Sequence, residues 1–139
     1  MNNIGSYEER LNDFNWDIAR RALGYDDAPT KNIGWFLTDR NCELGLGDKT
    51  ALIWEDADGG VTERYTFDDL RLLSNAYAAF LRDDLGVKAG DRVCIFMDKV
   101  PDLYISLIGI LKVGAIAQPL FSAFREESLF TRLENAETS

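Results

Sequence analysis

Four adjacent carboxylate pairs, Asp26/Asp27, Asp68/Asp69, Asp83/Asp84 and Glu126/Glu127, are the residues here whose types and spacing first suggest acid–base chemistry. Adjacent residues on a helix point in different directions, so none of these pairs converges on one substrate atom. Solvated surface and helix amino-terminal charge account for them better. The chain of 139 residues has no histidine, which excludes a Ser-His-Asp triad, a Cys-His pair and a histidine-ligated metal within it. "DADGG", Asp56 to Gly60, starts like a calcium loop, but the place of the bidentate glutamate falls to Phe67. A hairpin turn explains it more simply. "GLGDK", Gly45 to Lys49, has the composition of a phosphate cradle, yet it precedes a strand instead of joining a strand to a helix. Arg125 and Arg132 follow the "FSAF" segment, at the expected carboxyl end of a parallel strand, where open α/β sheets bind ligands. They are placed either to contact an anion or to pair with Glu126 and Glu134 on the surface.

Those residues need elements to hold them. Tyr7, Leu11, Phe14, Ile18 and Leu23 have roughly helical spacing, and Arg20 and Arg21 suit a helix carboxyl end, so the spacing predicts one peripheral helix over Tyr7–Leu23. "YDDAPTKN" is a connector, and residues 1–31 form this helix and connector as a part distinct from 32–139. "NIGWFLTDRNCEL" suggests a further short helix. Two β-rich runs around a Gly-Gly turn predict a hairpin with strands near Thr50–Glu55 and Val61–Tyr65. From Thr66 the period changes to 3.6, with Leu70, Leu73, Tyr77, Phe80, Leu81 and Leu85 on one stripe, a Thr66/Asp69 capping box and Gly86 as the stop. "RVCIFM" is a continuous apolar run that suits a strand buried on both faces of a parallel sheet, with Cys94 a free buried thiol. Pro101 opens a helix that Gly114 ends, "AIAQPL" is the second strand, and "REESLFTRLENAE" is the next crossover helix, with Leu129, Phe130 and Leu133 facing inward.

The expected fold class is therefore α/β: a hairpin, an amphipathic helix and a parallel βαβ unit, with the sheet left incomplete. An incomplete sheet implies part of a larger protein, or self-association to cover what is exposed. A net charge of −9 without a basic cluster argues against nucleic acid and anionic membrane. The longest apolar stretch, Leu103 to Ala117, is shorter than a membrane span. Two separated cysteines and a polar, acidic amino terminus point to a reducing cytoplasm.

In order along the chain, "GDKTALIWED", "RYTFDDLRLLSNAYAAFLRDDLGVKAGDRVCIFM" and "PDLYISLIGILKVGAIAQPLFSAFREESLFTRLENAE" resemble the amino-terminal part of AMP-forming acyl-CoA synthetases, above all the acetyl-CoA synthetase branch of the adenylate-forming enzymes. The likeness runs from about Asn32 onward. "YTFDDL" is similar to the first motif of that superfamily and "LKVGAIAQPL" to the second. "NIGWFLTDR", "GDRV" and "PLFSAF" add to it. "MDKVP" departs from it, since a Ser or Thr often precedes that proline and would cap the helix.

The resemblance implies a parent enzyme that joins a carboxylate to ATP, giving an acyl-adenylate and pyrophosphate, and then passes the acyl group to coenzyme A. Magnesium and cationic groups offset charge as the carboxylate attacks the α-phosphate. The parent's cofactors are thus ATP, Mg2+ and CoA, its substrate a small carboxylate, and its other partner the remainder of the polypeptide. The phosphate loop, the nucleotide motifs and the adenylation lysine of such enzymes are not in this sequence, so this chain alone carries no catalytic residue and binds none of these ligands tightly. The resemblance also implies that Phe121, Ser122 and Ala123 neighbour coenzyme A and that Arg132 contacts a phosphate, although the "FSAF" aromatics serve equally well as packing for the next part of the sheet. The other functional reading is a free-standing, non-enzymatic nucleotide- or protein-binding module derived from that family.

Overall fold

A computed structural model describes residues 6–138. They divide into two compact units, one up to Lys31 and one from Asn32 onward.

In the first unit the expected single helix is two, α1 (Tyr7–Asp13) and α2 (Trp16–Leu23). The break has a local cause. Asn15 is extended, and its side chain accepts the Ile18 N–H at 2.9 Å, a capping bond that starts a new helix. Gly24 ends α2 with φ +61, a conformation that a side chain would disfavour. Beyond it Arg20 pairs with Asp26, and the Lys31 ammonium lies 4.7 Å from the centre of the Tyr25 ring.

The second unit opens with two short helices, α3 (Ile33–Leu37) and α4 (Asp39–Glu43), where one was expected. The hairpin follows: β1 (Thr50–Glu55) pairs antiparallel with β2 (Thr62–Thr66). Its turn uses Asp56 as a local acceptor, since the Gly60 N–H reaches Asp56 Oδ1 at 2.7 Å. Thr66 then starts α5 (Phe67–Ala79) through a complete capping box with Asp69, as the spacing indicates. The helix does not run regularly to Gly86: Phe80–Asp84 form a π turn. The expected stripe is buried only in part, with Tyr77 half-buried against the core. Leu70, Ser74 and Leu81 are buried, while Leu73, Phe80 and Leu85 are exposed. Gly109 of the next helix explains this. A Cβ there would lie 2.7 Å from Tyr77 Cδ1 and 3.1 Å from the Ser74 carbonyl oxygen, so the two helices touch backbone to backbone where α5 carries a serine.

The strand β3 (Arg92–Met97), the helix α6 (Pro101–Val113) and the strand β4 (Ile116–Phe121) form the βαβ unit, with β3 and β4 paired in parallel from Arg92↔Ile116 to Met97↔Phe121. Gly114 closes α6 at φ +82, and Val100 supplies no side-chain cap at its start. The core is Leu81, Ile95, Ile110 and Ala115, between α5, α6 and one face of the sheet. The last helix, α7 (Glu126–Ala136), is held to the opposite face: Arg92 Nε donates to Ala136 O at 2.8 Å and Gln118 Nε2 to Arg132 O at 3.0 Å. Leu129 and Leu133 are half-buried, but Phe130 is exposed, contrary to expectation. β3 is likewise not buried on both faces. Phe96 is exposed and Cys94 half-buried, because α7 covers that face incompletely.

Candidate functional site

The carboxyl ends of β3 and β4 meet the amino end of α6 around an open cleft of about 450 Å3, lined by Met97, Asp98, Lys99, Leu103, Phe121 and Ser122 among others. Each part of the rim has its own support. The Lys99 carbonyl accepts the indole N–H of Trp54 at 2.7 Å, so the hairpin fixes the loop between β3 and α6. Beyond β4 the Phe124 N–H returns to Phe121 O at 3.0 Å and closes a tight turn through Ser122 and Ala123. The Phe121 and Phe124 rings meet edge to face at 5.9 Å. Arg132, on the second turn of α7, lays its guanidinium 4.1 Å from the centre of the Phe124 ring and gives one N–H to Ser128 O at 2.9 Å.

The structure thus gathers Phe121, Ser122 and Arg132 around one corner, with exposed Ala123 on the outside of the turn. Phe121 and Ser122 line the cleft; Arg132 sits behind Phe124. Arg125 precedes α7 without a side-chain cap bond. Arg132 pairs with the ring and a backbone carbonyl rather than with Glu134. Two contributors carry no distinctive signal in the sequence: Lys99 at the cleft and Trp54 behind it. An indole in a hairpin strand and a lysine before a helix are too common to signal a site by themselves.

The arrangement suits binding better than proton transfer. A guanidinium has five N–H donors, and Arg132 spends one on Ser128. With an exposed aromatic edge beside it, the corner fits a ligand that is both planar and anionic. Three of the four carboxylate pairs have at least one member held locally. Asp69 belongs to the capping box, where the Thr66 backbone and side chain hold its carboxyl below the usual range. Asp68 meets Arg71 at 2.7 Å and Asp83 meets Arg82 at 2.7 Å. Tyr65 bonds to Glu63; that bond, burial and the charges of Glu63, Asp102 and Asp69 push its phenol up to about 12, so it stays protonated. Burial also pushes the Cys94 thiol up. Among the described residues no three His, Cys, Asp or Glu side chains are grouped to hold a metal ion, and no helix is long and apolar enough to cross a membrane.

Comparison with known proteins adds a sequence match to the AMP-binding enzyme family over residues 39–139. The acetyl-coenzyme A synthetase of Bacillus subtilis is 38% identical over 135 residues, which is 97% of this chain and 23% of that protein. The acetyl-coenzyme A synthetase of Deinococcus radiodurans is 39% identical over 77% of this chain and 16% of its own length. The chain therefore spans less than a quarter of these relatives. Among solved structures, the acyl-CoA synthetase of Brucella canis superposes with a TM-score of 0.78 at 27% identity, covering 95% of this chain and 23% of that one. The NpsA N-terminal subdomain of Klebsiella oxytoca gives 0.63 at 26% identity, covering 73% and 25%.

Proposed function

The chain belongs to the AMP-binding enzyme family, and from that premise we propose that it is the amino-terminal portion of an AMP-forming synthetase for acetate or another short-chain acid. The parent enzyme activates the carboxylate with ATP, releasing pyrophosphate, and transfers the acyl group from AMP to the thiol of coenzyme A. This portion contributes scaffold and one side of the coenzyme A path, working in the cytoplasm. Adenylation, with its magnesium and ATP contacts, is assigned to residues outside this chain.

The observation that carries this reading is the corner at the end of β4, where an exposed aromatic edge and a guanidinium with donors to spare stand together at a sheet's ligand-binding end. Coenzyme A offers the matching chemistry, a planar base joined to phosphates. On this proposal Phe121, Ser122 and Ala123 flank the nucleotide and Arg132 meets a phosphate. In the complete enzyme, Arg132→Ala is expected to raise KM for coenzyme A about tenfold, in line with the loss of one charge-assisted hydrogen bond, and to leave ATP–pyrophosphate exchange unchanged. Equal loss of both activities would overturn the assignment. The free-standing module is not favoured, since the relatives named above are synthetases of which this chain matches less than a quarter.

A further inference from the structure

We propose that Lys99 is a second cation of the cleft, placed to meet an anionic group of coenzyme A on the β3 side while Arg132 serves the β4 side, and that Trp54 is the positioning residue that holds it there. The inference rests on reading this cleft as part of the coenzyme A path.

The loop between β3 and α6 is short and tied along its length. The Val100 N–H returns to Asp98 O at 2.9 Å, which closes a three-residue turn with Lys99 at its apex. The Leu103 N–H then returns to Val100 O at 3.1 Å as α6 begins. At the apex the Lys99 carbonyl accepts the Trp54 indole N–H at 2.7 Å, a bond between residues 45 apart in the chain. Trp54 is itself fixed, since it lies in β1 opposite Glu63 of β2. The hairpin therefore acts as a strut for one wall of the cleft.

The side chain at this apex differs from the paired cations of this acidic chain. Arg20, Arg71, Arg82 and Lys112 each meet an aspartate, and Arg92 meets a glutamate. Lys99 meets no carboxylate among the described residues, although Asp98 precedes it and lines the same cleft. Its ammonium is exposed and available to a ligand charge. Most of the cleft wall, Met97, Leu103 and Phe121 included, is apolar. A ligand that joins an apolar arm to several phosphates needs cations at more than one point of such a wall. Arg132 stands behind Phe124 on the β4 side. Lys99 supplies the β3 side and offsets Asp98, whose charge alone would repel the ligand. A lysine acts there as a compact point charge on a flexible stem, so another cation can replace it.

Steady-state kinetics of the complete enzyme test this. Lys99→Met should raise KM for coenzyme A about fivefold, the scale of one exposed charge contact, with kcat and ATP–pyrophosphate exchange unchanged. Lys99→Arg should keep the original KM. Trp54→Phe retains a ring and removes the N–H, so it should raise KM about as much as Lys99→Met. The double variant should be no worse than either single one, because both act through one contact. A Trp54 that only supports the fold would lower the thermal midpoint and both partial reactions together, and its effect would add to that of Lys99→Met; this result overturns the positioning role. An unchanged KM in Lys99→Met overturns the proposal as a whole. Arg132→Ala then shows how far the failure extends: if it alone raises KM, the coenzyme A reading stands without Lys99, and if neither variant does, that reading falls as well.

Discussion

The two faces of the β3–β4 sheet are made from alternate residues of the same strands, yet one is closed and the other open. Ile95 is 2% exposed and its neighbour Phe96 is 43% exposed. Composition does not separate them, as both are large and apolar. The helices do: α6 is pressed onto the sheet by α5, which approaches as closely as Gly109 allows, whereas α7 is held by polar contacts from Arg92 and Gln118 and turns Phe130 away. Burial at a strand residue is therefore decided by what crosses it, not by its own hydrophobicity. The sharpest way to break this contrast is at Ile110, fully buried in the closed face. Ile110→Ala should cost about 4 kcal/mol, the transfer of the lost methyl groups plus the cavity they leave, read as a fall in the urea midpoint. A loss below about 1 kcal/mol, the range of surface substitutions, would mean that the closed face is no better packed than the open one.

The closed side also has a polar rim, whose contribution is smaller and depends on pH. Lys112 near the end of α6 pairs with Asp39 at 2.6 Å and donates to Asn75 Oδ1 at 2.6 Å, while buried Thr38 bonds to both Gly34 O and Asp39. Burial pushes the Asp39 carboxyl up, but the Lys112 and Thr38 bonds outweigh it and hold the group below its ordinary value. A carboxyl depressed in the folded state adds stability that is complete above its unfolded value of about 3.9 and is lost as pH falls through the lower folded one. Lys112→Met keeps the packing of the stem and removes the charge. It should cost about 2 kcal/mol at neutral pH, less than a fully buried pair because Asp39 keeps some access to water, and it should flatten the acid limb of the stability curve below about pH 4. Equal acid slopes in the two proteins would remove Asp39 from the account.

What could be read from the residues was what local chemistry decides. The Thr66/Asp69 box, the Gly59–Gly60 turn and the Pro101-to-Gly114 helix were all legible, because each is a short-range bargain between neighbouring backbone groups. The split at Asn15 is equally local, but Phe14 and Ile18 keep helical spacing across it, which masks the break in the sequence. Elsewhere the missing information was tertiary. Ser74 replaces Leu73 in the buried stripe because of a glycine on another helix, and a π turn carries α5 to its end. At the candidate site the aromatic turn was legible from "FSAF". Lys99 was not, since the indole that fixes its loop comes from 45 residues away.

The smallest effect is expected on the open face. Phe96→Ala there removes a ring that already meets water over much of its surface, so the loss should be about 1 kcal/mol or less, well under the 3–5 kcal/mol of a buried aromatic. The comparison with Ile95→Ala on the same strand is internal, since both substitutions meet the same backbone and the same unfolded chain. A loss for Phe96→Ala near 3 kcal/mol, in the buried range, would place the ring out of water in solution. The cover would then be a second copy of the chain, and the unfolding midpoint would rise with protein concentration, because association stabilises by mass action. A small loss, with a midpoint that does not move between dilute and concentrated samples, leaves Phe96 as part of a surface that this chain does not cover by itself.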